Sequence, residues 1–309
     1  MAPVETETRP TRDGVLTGTR WLLVAFTALT ALAVFQLLVL ADVADRYWAW
    51  TIHTELTAAF LGAAYGAGFV LAVVALRQPD WSRIRVPVVT VTVFTVLTAV
   101  ATGIHLHRLH LVDGGPFARV VAWVWVAVYL VVPLACLLVV AREERRRVRP
   151  RAVRRPMPDW LTVVLTVEGA VLFTAGVVLF VGGSTVHHQT EPEPAANFWP
   201  WELTPLSAQI VGSWLIALGV AAALAIRQGD LGRLLVSGVT YTAFGVFQFV
   251  AVAWYWPQIT RHDARLWIYL TFLVAVVLTG AYGWRAARAG AAEEDGAGSH
   301  PGTVRSTPA

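Results

Sequence analysis

Glu168 is the side chain in this sequence best placed to do chemistry. It lies eight residues into an apolar run that opens at Trp160, so a helical rise of about 1.5 Å per residue carries it about 12 Å into a hydrocarbon layer of about 30 Å. An ionised carboxylate costs about 2.5–3.5 kcal/mol at that depth, so the group is expected to be neutral or held by donors. The same depth argument brings Tyr65, Tyr129 and Tyr241 close to the midplane, with Thr240 and Thr242 beside Tyr241. A carboxyl group among hydroxyls at one level suits a protonatable site for a small solute. A lone acid bonded to a neighbouring helix is the plainer alternative.

A second pattern occurs twice. Arg77-Gln78-Pro79-Asp80-Trp81-Ser82-Arg83 returns as Arg227-Gln228-Gly229-Asp230-Leu231-Gly232-Arg233, and thirteen of the twenty-seven positions from Ala75 to Ala101 are identical to those from Ala225 to Ala251. Such an extended match marks an internal duplication. In a short turn between helices, Asp80 and Asp230 are expected to cap the following helix, while Arg77 and Arg227 meet the carbonyl end of the preceding one. An inner gate or a phospholipid-headgroup site is the sharper reading of the same residues.

Trp48-Ala49-Trp50 is answered by Trp199-Pro200-Trp201. Tryptophan at the end of an apolar run anchors it at the membrane interface. A paired aromatic vestibule for an organic or cationic solute is the functional alternative, because the face of an indole attracts cations. Histidine is concentrated toward the same side: His53, His105, His107, His110, His187, His188 and His262. His107 and His110 share a helical face if the third helix extends that far, and with His105 they are candidates for a transition-metal site or an acid sensor. No ligand spacing of the strong kind is present, so no cofactor is expected on sequence grounds.

Other chemistries are disfavoured. All 24 basic residues are arginine, which removes any lysine Schiff base and the lysine of a phosphate-binding loop. The sequence has no His-Glu-x-x-His, Gly-x-Ser-x-Gly or Gly-x-Gly-x-x-Gly, so it points away from an ordinary hydrolase, kinase or nucleotide-driven pump. The basic cluster between 142 and 155 suits anionic lipid and needs no nucleic acid. The single cysteine, Cys136, has no partner within the chain.

The elements that must position these residues follow from hydropathy. With 56% hydrophobic and 14% charged residues among 309, the chain has the composition of a multi-pass membrane protein. Eight apolar runs, near 21–41, 56–76, 86–105, 119–141, 160–182, 206–226, 233–255 and 266–284, are each long enough to cross a bilayer. The expected fold is therefore an all-α integral membrane protein of eight transmembrane helices. The duplication divides it into two tandem four-helix repeats, 21–141 and 160–288, joined by an Arg/Pro-rich linker, 142–159. Disordered tails are expected at 1–20 and 289–309.

Four crossings per repeat return the chain to the side on which it started. The repeats are thus expected to be parallel, with a pseudo-twofold axis along the membrane normal. Placing both termini in the cytoplasm puts 19 of the 24 arginines there, as the positive-inside rule requires. The lysine-free, Ala/Val/Arg-rich composition suits a high-GC bacterium and hence a plasma membrane. Ala58, Gly62 and Gly66 form a small-residue stripe on the second helix that Ala208 and Gly212 repeat on the sixth, and these helices are expected to face one another across the axis. Functionally, the sequence reads as a permease or binding protein for a small solute or lipid. A histidine-dependent metal or pH sensor and an accessory subunit of a membrane complex are the alternatives, and oligomeric state is not legible.

Overall fold

A computed structural model describes residues 14–146, 153–185 and 198–298. Among these residues there are nine α-helices and no strand, and eight of the helices are long and apolar enough to cross a membrane. The eight are α1 (Thr17–Val34), α2 (Glu55–Leu76), α3 (Trp81–Ile104), α4 (Pro116–Arg146), α5 (Asp159–Thr185), α6 (Pro205–Gln228), α7 (Leu235–Trp254) and α8 (Ala264–Gly298). The ninth is a single turn, Ala44–Tyr47. Helices suit such apolar sequence because each satisfies its own backbone where no water is available. The ends carry local stop signals: Thr204 accepts a hydrogen bond from the Ser207 N–H, Pro205 opens α6, and Gly229 closes it in the left-handed conformation at φ 59°.

The eight spans separate into an inner and an outer set. α2 and α6 are the most enclosed, followed by α3 and then α7. α1, α4, α5 and α8 leave long rows of Leu, Val, Phe and Trp exposed, the surface expected of helices solvated by lipid chains. Trp21, Trp160 and Trp267 stand exposed near the ends of α1, α5 and α8, and Trp254 at the end of α7, as interfacial anchors do. α1 begins at Thr17 and α8 continues to Gly298, within the stretches read from sequence as tails. Residues 1–13 and 299–309 lie outside the described residues.

Packing follows one pattern in both halves. α1 lies against α2 and α3 against α4; likewise α5 lies against α6 and α7 against α8. Between the halves, α2 packs on α7 and α3 on α6, whereas α2 and α6 barely touch. The small-residue stripes therefore do not face one another. A Cβ on Gly62 would fall on the Leu37–Leu38 backbone that follows α1, and one on Gly212 would meet the Gly176 carbonyl of α5. Gly62 and Gly212 thus admit the backbones of the α1 segment and α5, while Gly66 faces the Phe247 ring of α7. Phe35–Val39 continues α1 as a π-helical turn closed by the Leu40 N–H on the Phe35 carbonyl.

The bundle has an arginine end and a tryptophan end. At the arginine end, Glu143 Oε1 accepts from the Leu16 N–H at 2.9 Å and the Thr19 hydroxyl at 2.7 Å, tying the start of α1 to the finish of α4. Trp81 Nε1 and Arg85 Nε both donate to Glu144. The segments leading into α1 and α5 run along equivalent turns: the Val15 N–H donates to Pro79 O and the Met157 N–H to Gly229 O. At the tryptophan end the halves exchange equivalent bonds. Trp50 Nε1 donates to Ser207 Oγ at 3.3 Å, and Trp201 Nε1 donates to Thr57 Oγ1 at 3.1 Å.

Candidate functional site

Both copies of the Arg-Gln-x-Asp-x-x-Arg motif open onto one cavity of about 310 Å³ at the arginine end, a volume at the lower bound of small-ligand sites. Arg77, Arg83, Arg154, Arg155, Arg233 and Arg288 line it against two carboxylates, Asp80 and Asp230. Asp230 is heavily engaged. It accepts from the Gly232 N–H at 3.0 Å and the Arg154 N–H at 3.2 Å, and it pairs with Arg233 Nε at 3.3 Å. The capping expected of both aspartates is thus met by Asp230, whereas Asp80 makes no side-chain cap bond to α3.

The first copy of the motif is the more open. Among the described residues the guanidinium groups of Arg77 and Arg83 have no partner. Arg288 lies over the ring of Trp284, 4.7 Å from its centroid, and Trp284 Nε1 is buried without an acceptor. Arg227, the counterpart of Arg77, does not line the cavity; nor does Gln228, whose Nε2 is buried and unbonded. Arg154 and Arg155 belong to what reads in sequence as a linker, yet here they form a wall. Arg155 Nη1 donates to Ala286 O, and its own carbonyl accepts the Leu231 N–H. An excess of guanidinium groups with spare donors recognises phosphate or carboxylate oxygens.

Glu168 is buried between three helices. Its carboxyl oxygens accept from the Tyr241 hydroxyl of α7 at 3.2 Å and from the Thr279 hydroxyl of α8 at 2.8 Å. Those two residues line an apolar cavity of about 70 Å³ between α2, α3 and the second half. Glu168 thus has the donors expected for it, one of them the predicted Tyr241. Tyr65 and Tyr129 are elsewhere. Their hydroxyls bond each other at 2.7 Å, and both line a different cavity beside α1 and α4. The four residues expected around one site are brought together as two separate pairs.

The two Trp-x-Trp motifs are not lipid-facing anchors. Trp48, Trp50 and Trp199 are buried and Trp201 is half-buried. Trp48 and Trp50 pack edge-on against each other and against Trp125, which lies on Tyr129; Trp199 and Trp201 surround Phe60 and Tyr269 in the same manner. These are buried aromatic clusters, each contributing to the core. Trp214 of α6 joins the first by stacking on Phe94 at 3.9 Å. Position in a run does not reveal that contact.

α3 ends at Ile104, so His107 and His110 fall beyond it, on a 3-10 turn and an extended segment. His110 Nε2 is 3.2 Å from Thr51 Oγ1, and His105 is buried with its ring 6.1 Å from that of His107. Among the described residues no three His, Cys, Asp or Glu side chains are grouped so that they could hold a metal ion. His187 and His188 lie outside the described residues.

Also at the tryptophan end, Tyr255 donates its hydroxyl hydrogen to Asp42, another bond between the halves. Burial, followed by that bond, holds the Tyr255 phenol above its ordinary value of 10.0. The unfolded chain therefore loses this proton first. The contribution of Tyr255 to stability is complete below pH 10 and falls as pH rises above it. Thermal melting of wild type and Tyr255→Phe at neutral pH and above pH 10 is expected to give a smaller alkaline loss in the variant.

No protein-family model matches this chain, and no curated protein or solved structure is significantly similar to it.

Proposed function

We propose that this multi-pass membrane protein is a permease or binding protein for a small anionic solute or an anionic lipid, recognised at the arginine end. The observation that carries the reading is the convergence of both motif copies on a single cavity lined by six arginines and two aspartates. Such a site attracts anions before contact and bonds their oxygens on arrival. We read the chain as two tandem four-helix repeats inserted in the same sense. The repeated sequence, the exchanged Trp50–Ser207 and Trp201–Thr57 bonds, and the α2–α7 and α3–α6 packing all support this. The arginine end then faces the cytoplasm, as its charge favours.

The test is calorimetric titration of purified protein with inorganic phosphate and with dioctanoyl phosphatidate at low salt. Saturable binding of either, at one site per chain, is the expected result. Heats of dilution alone for both probes would remove this reading.

Glu168 is the protonatable group of the proposal, bonded to Tyr241 and Thr279, two residues that line an apolar cavity between the halves. Glu168→Gln keeps an oxygen acceptor but lacks an exchangeable carboxyl proton. Anion affinity is expected to be unchanged, and uptake into vesicles driven by a proton gradient is expected to be lost. Wild-type uptake in the variant would exclude Glu168 from coupling.

A further inference from the structure

A third cavity, of about 80 Å³, lies beside α1 and α4, and the anion site leaves it unused. Its mouth is lateral. Leu32 and Val124 line it and are 50% and 46% exposed on the apolar flank of the bundle, so access is from the lipid. No charged residue lines it, which selects a neutral occupant, since an ion placed there would lose water without gaining a counter-charge.

Three of its polar groups have a donor to spare, while the Thr30 and Thr95 hydroxyls and Trp125 Nε1 donate elsewhere. Trp48 lines the cavity, is 4% exposed, and has an Nε1 that is buried with no hydrogen-bond partner. Tyr65 and Tyr129 spend one hydroxyl hydrogen on the bond between them, which leaves the other for an acceptor that the cavity must supply. Gln36, a further lining residue, belongs to the π-helical turn Phe35–Val39, an irregularity that concentrates at functional sites in helices. Its carboxamide makes no hydrogen bond among the described residues. A ligand carbonyl oxygen, with two lone pairs, is the acceptor that the indole N–H and the spare phenol O–H both lack.

We propose that this cavity binds a neutral, lipid-soluble carbonyl compound, its carbonyl oxygen accepting from Trp48 and the tyrosine pair and its apolar tail leaving toward the lipid. The enclosed space is about half of the roughly 150 Å³ that holds a whole benzene ring. The carbonyl-bearing edge of a quinone ring, or a single ester group of a diacylglycerol, therefore fits inside, with the remainder in the mouth. This site is independent of the anion site.

The experiment is titration of the protein in nanodiscs with a decyl-substituted benzoquinone, read as quenching of tryptophan emission. Saturable quenching is expected. Loss of one hydrogen bond in Trp48→Phe or Tyr129→Phe should raise the midpoint about five- to tenfold, while Trp199→Phe, in the matching motif, should leave it unchanged. Leu32→Trp, at the exposed mouth and away from the core, should abolish saturation even if a core variant fails to fold. Dioctanoylglycerol and decylbenzene serve as competitors: displacement by the former at lower concentration than the quinone identifies the ester as the preferred source of the carbonyl. Linear, non-saturating quenching, a midpoint shared by wild type and Trp48→Phe, or equal displacement by decylbenzene would overturn the proposal.

Discussion

Gly176→Leu is expected to abolish most of the folded protein. α5 carries Gly169, Gly176 and Gly183 at intervals of seven, and α6 carries Gly212 and Gly219 at the same interval. A Cβ at Gly176 would lie 2.7 Å from Ile216 N and 2.8 Å from Gly212 O. Both are backbone atoms, so no rotamer change relieves the clash and the helices must separate. Overpacking a core that relaxes costs about 1–3 kcal/mol. Forcing apart the most extensive helix pair of the bundle exceeds that, against a total stability of about 5–15 kcal/mol. Gly103→Leu is the control, because nothing lies within 4 Å of a Cβ there. The yield of monodisperse protein in mild detergent and its melting temperature should collapse in the first variant and hold in the second. A Gly176→Leu protein that melts with wild type would refute the α5–α6 packing described.

The largest functional effect is expected from the paired substitution Arg77→Ala and Arg83→Ala. Each removes a guanidinium group that lines the cavity and has no partner among the described residues, so little native structure depends on either. A hydrogen bond to a charged group contributes about 1.5–3 kcal/mol, which is about tenfold or more in affinity. Two such losses combine to about a hundredfold if the contacts are independent. The remaining affinity should also depend less on salt, since fewer charges attract the anion. Arg227→Ala is the matched control, because Arg227 occupies the position equivalent to Arg77 yet does not line the cavity. Calorimetric titration of the three proteins distinguishes a local site from a general effect of positive charge. Equal losses in Arg227→Ala and the double variant would assign the binding to general charge.

The eight spans were legible because hydropathy is a one-dimensional signal and lipid makes it decisive. Depth was legible for the same reason, and it put Glu168 and Tyr241 at a common level, where they bond. Azimuth was not. Tyr65 and Tyr129 read at much the same depth as Glu168, but which faces meet depends on helix crossings that no periodicity reveals in segments apolar all round. Trp48 and Trp199 illustrate the same gap, since a tryptophan near the end of a run reads alike whether its ring meets headgroups or another indole. Arg154 and Arg155 were hidden by composition: their arginine- and proline-rich surroundings read as solvated linker, while the contact of Pro156 with Asp230 draws them into the cavity wall. Glu143 and Glu144 escaped for a related reason, standing inside a run of arginines although both fasten the ends of other helices to α4. The shared helical face for His107 and His110 required α3 to extend past Ile104, and it does not.

Ser82 and Gly232 are equivalent positions of the two motif copies, and both line the arginine cavity. Single cysteines there, in a Cys136→Ala background, measured for labelling by a membrane-impermeant maleimide in intact cells and in opened membranes, test most directly whether the two halves share one sense of insertion and one anion site. Both cysteines are expected to be protected in intact cells and to label once the membranes are opened, with inorganic phosphate or dioctanoyl phosphatidate slowing the labelling of both. Labelling of one from outside and the other only from inside would contradict a shared sense of insertion.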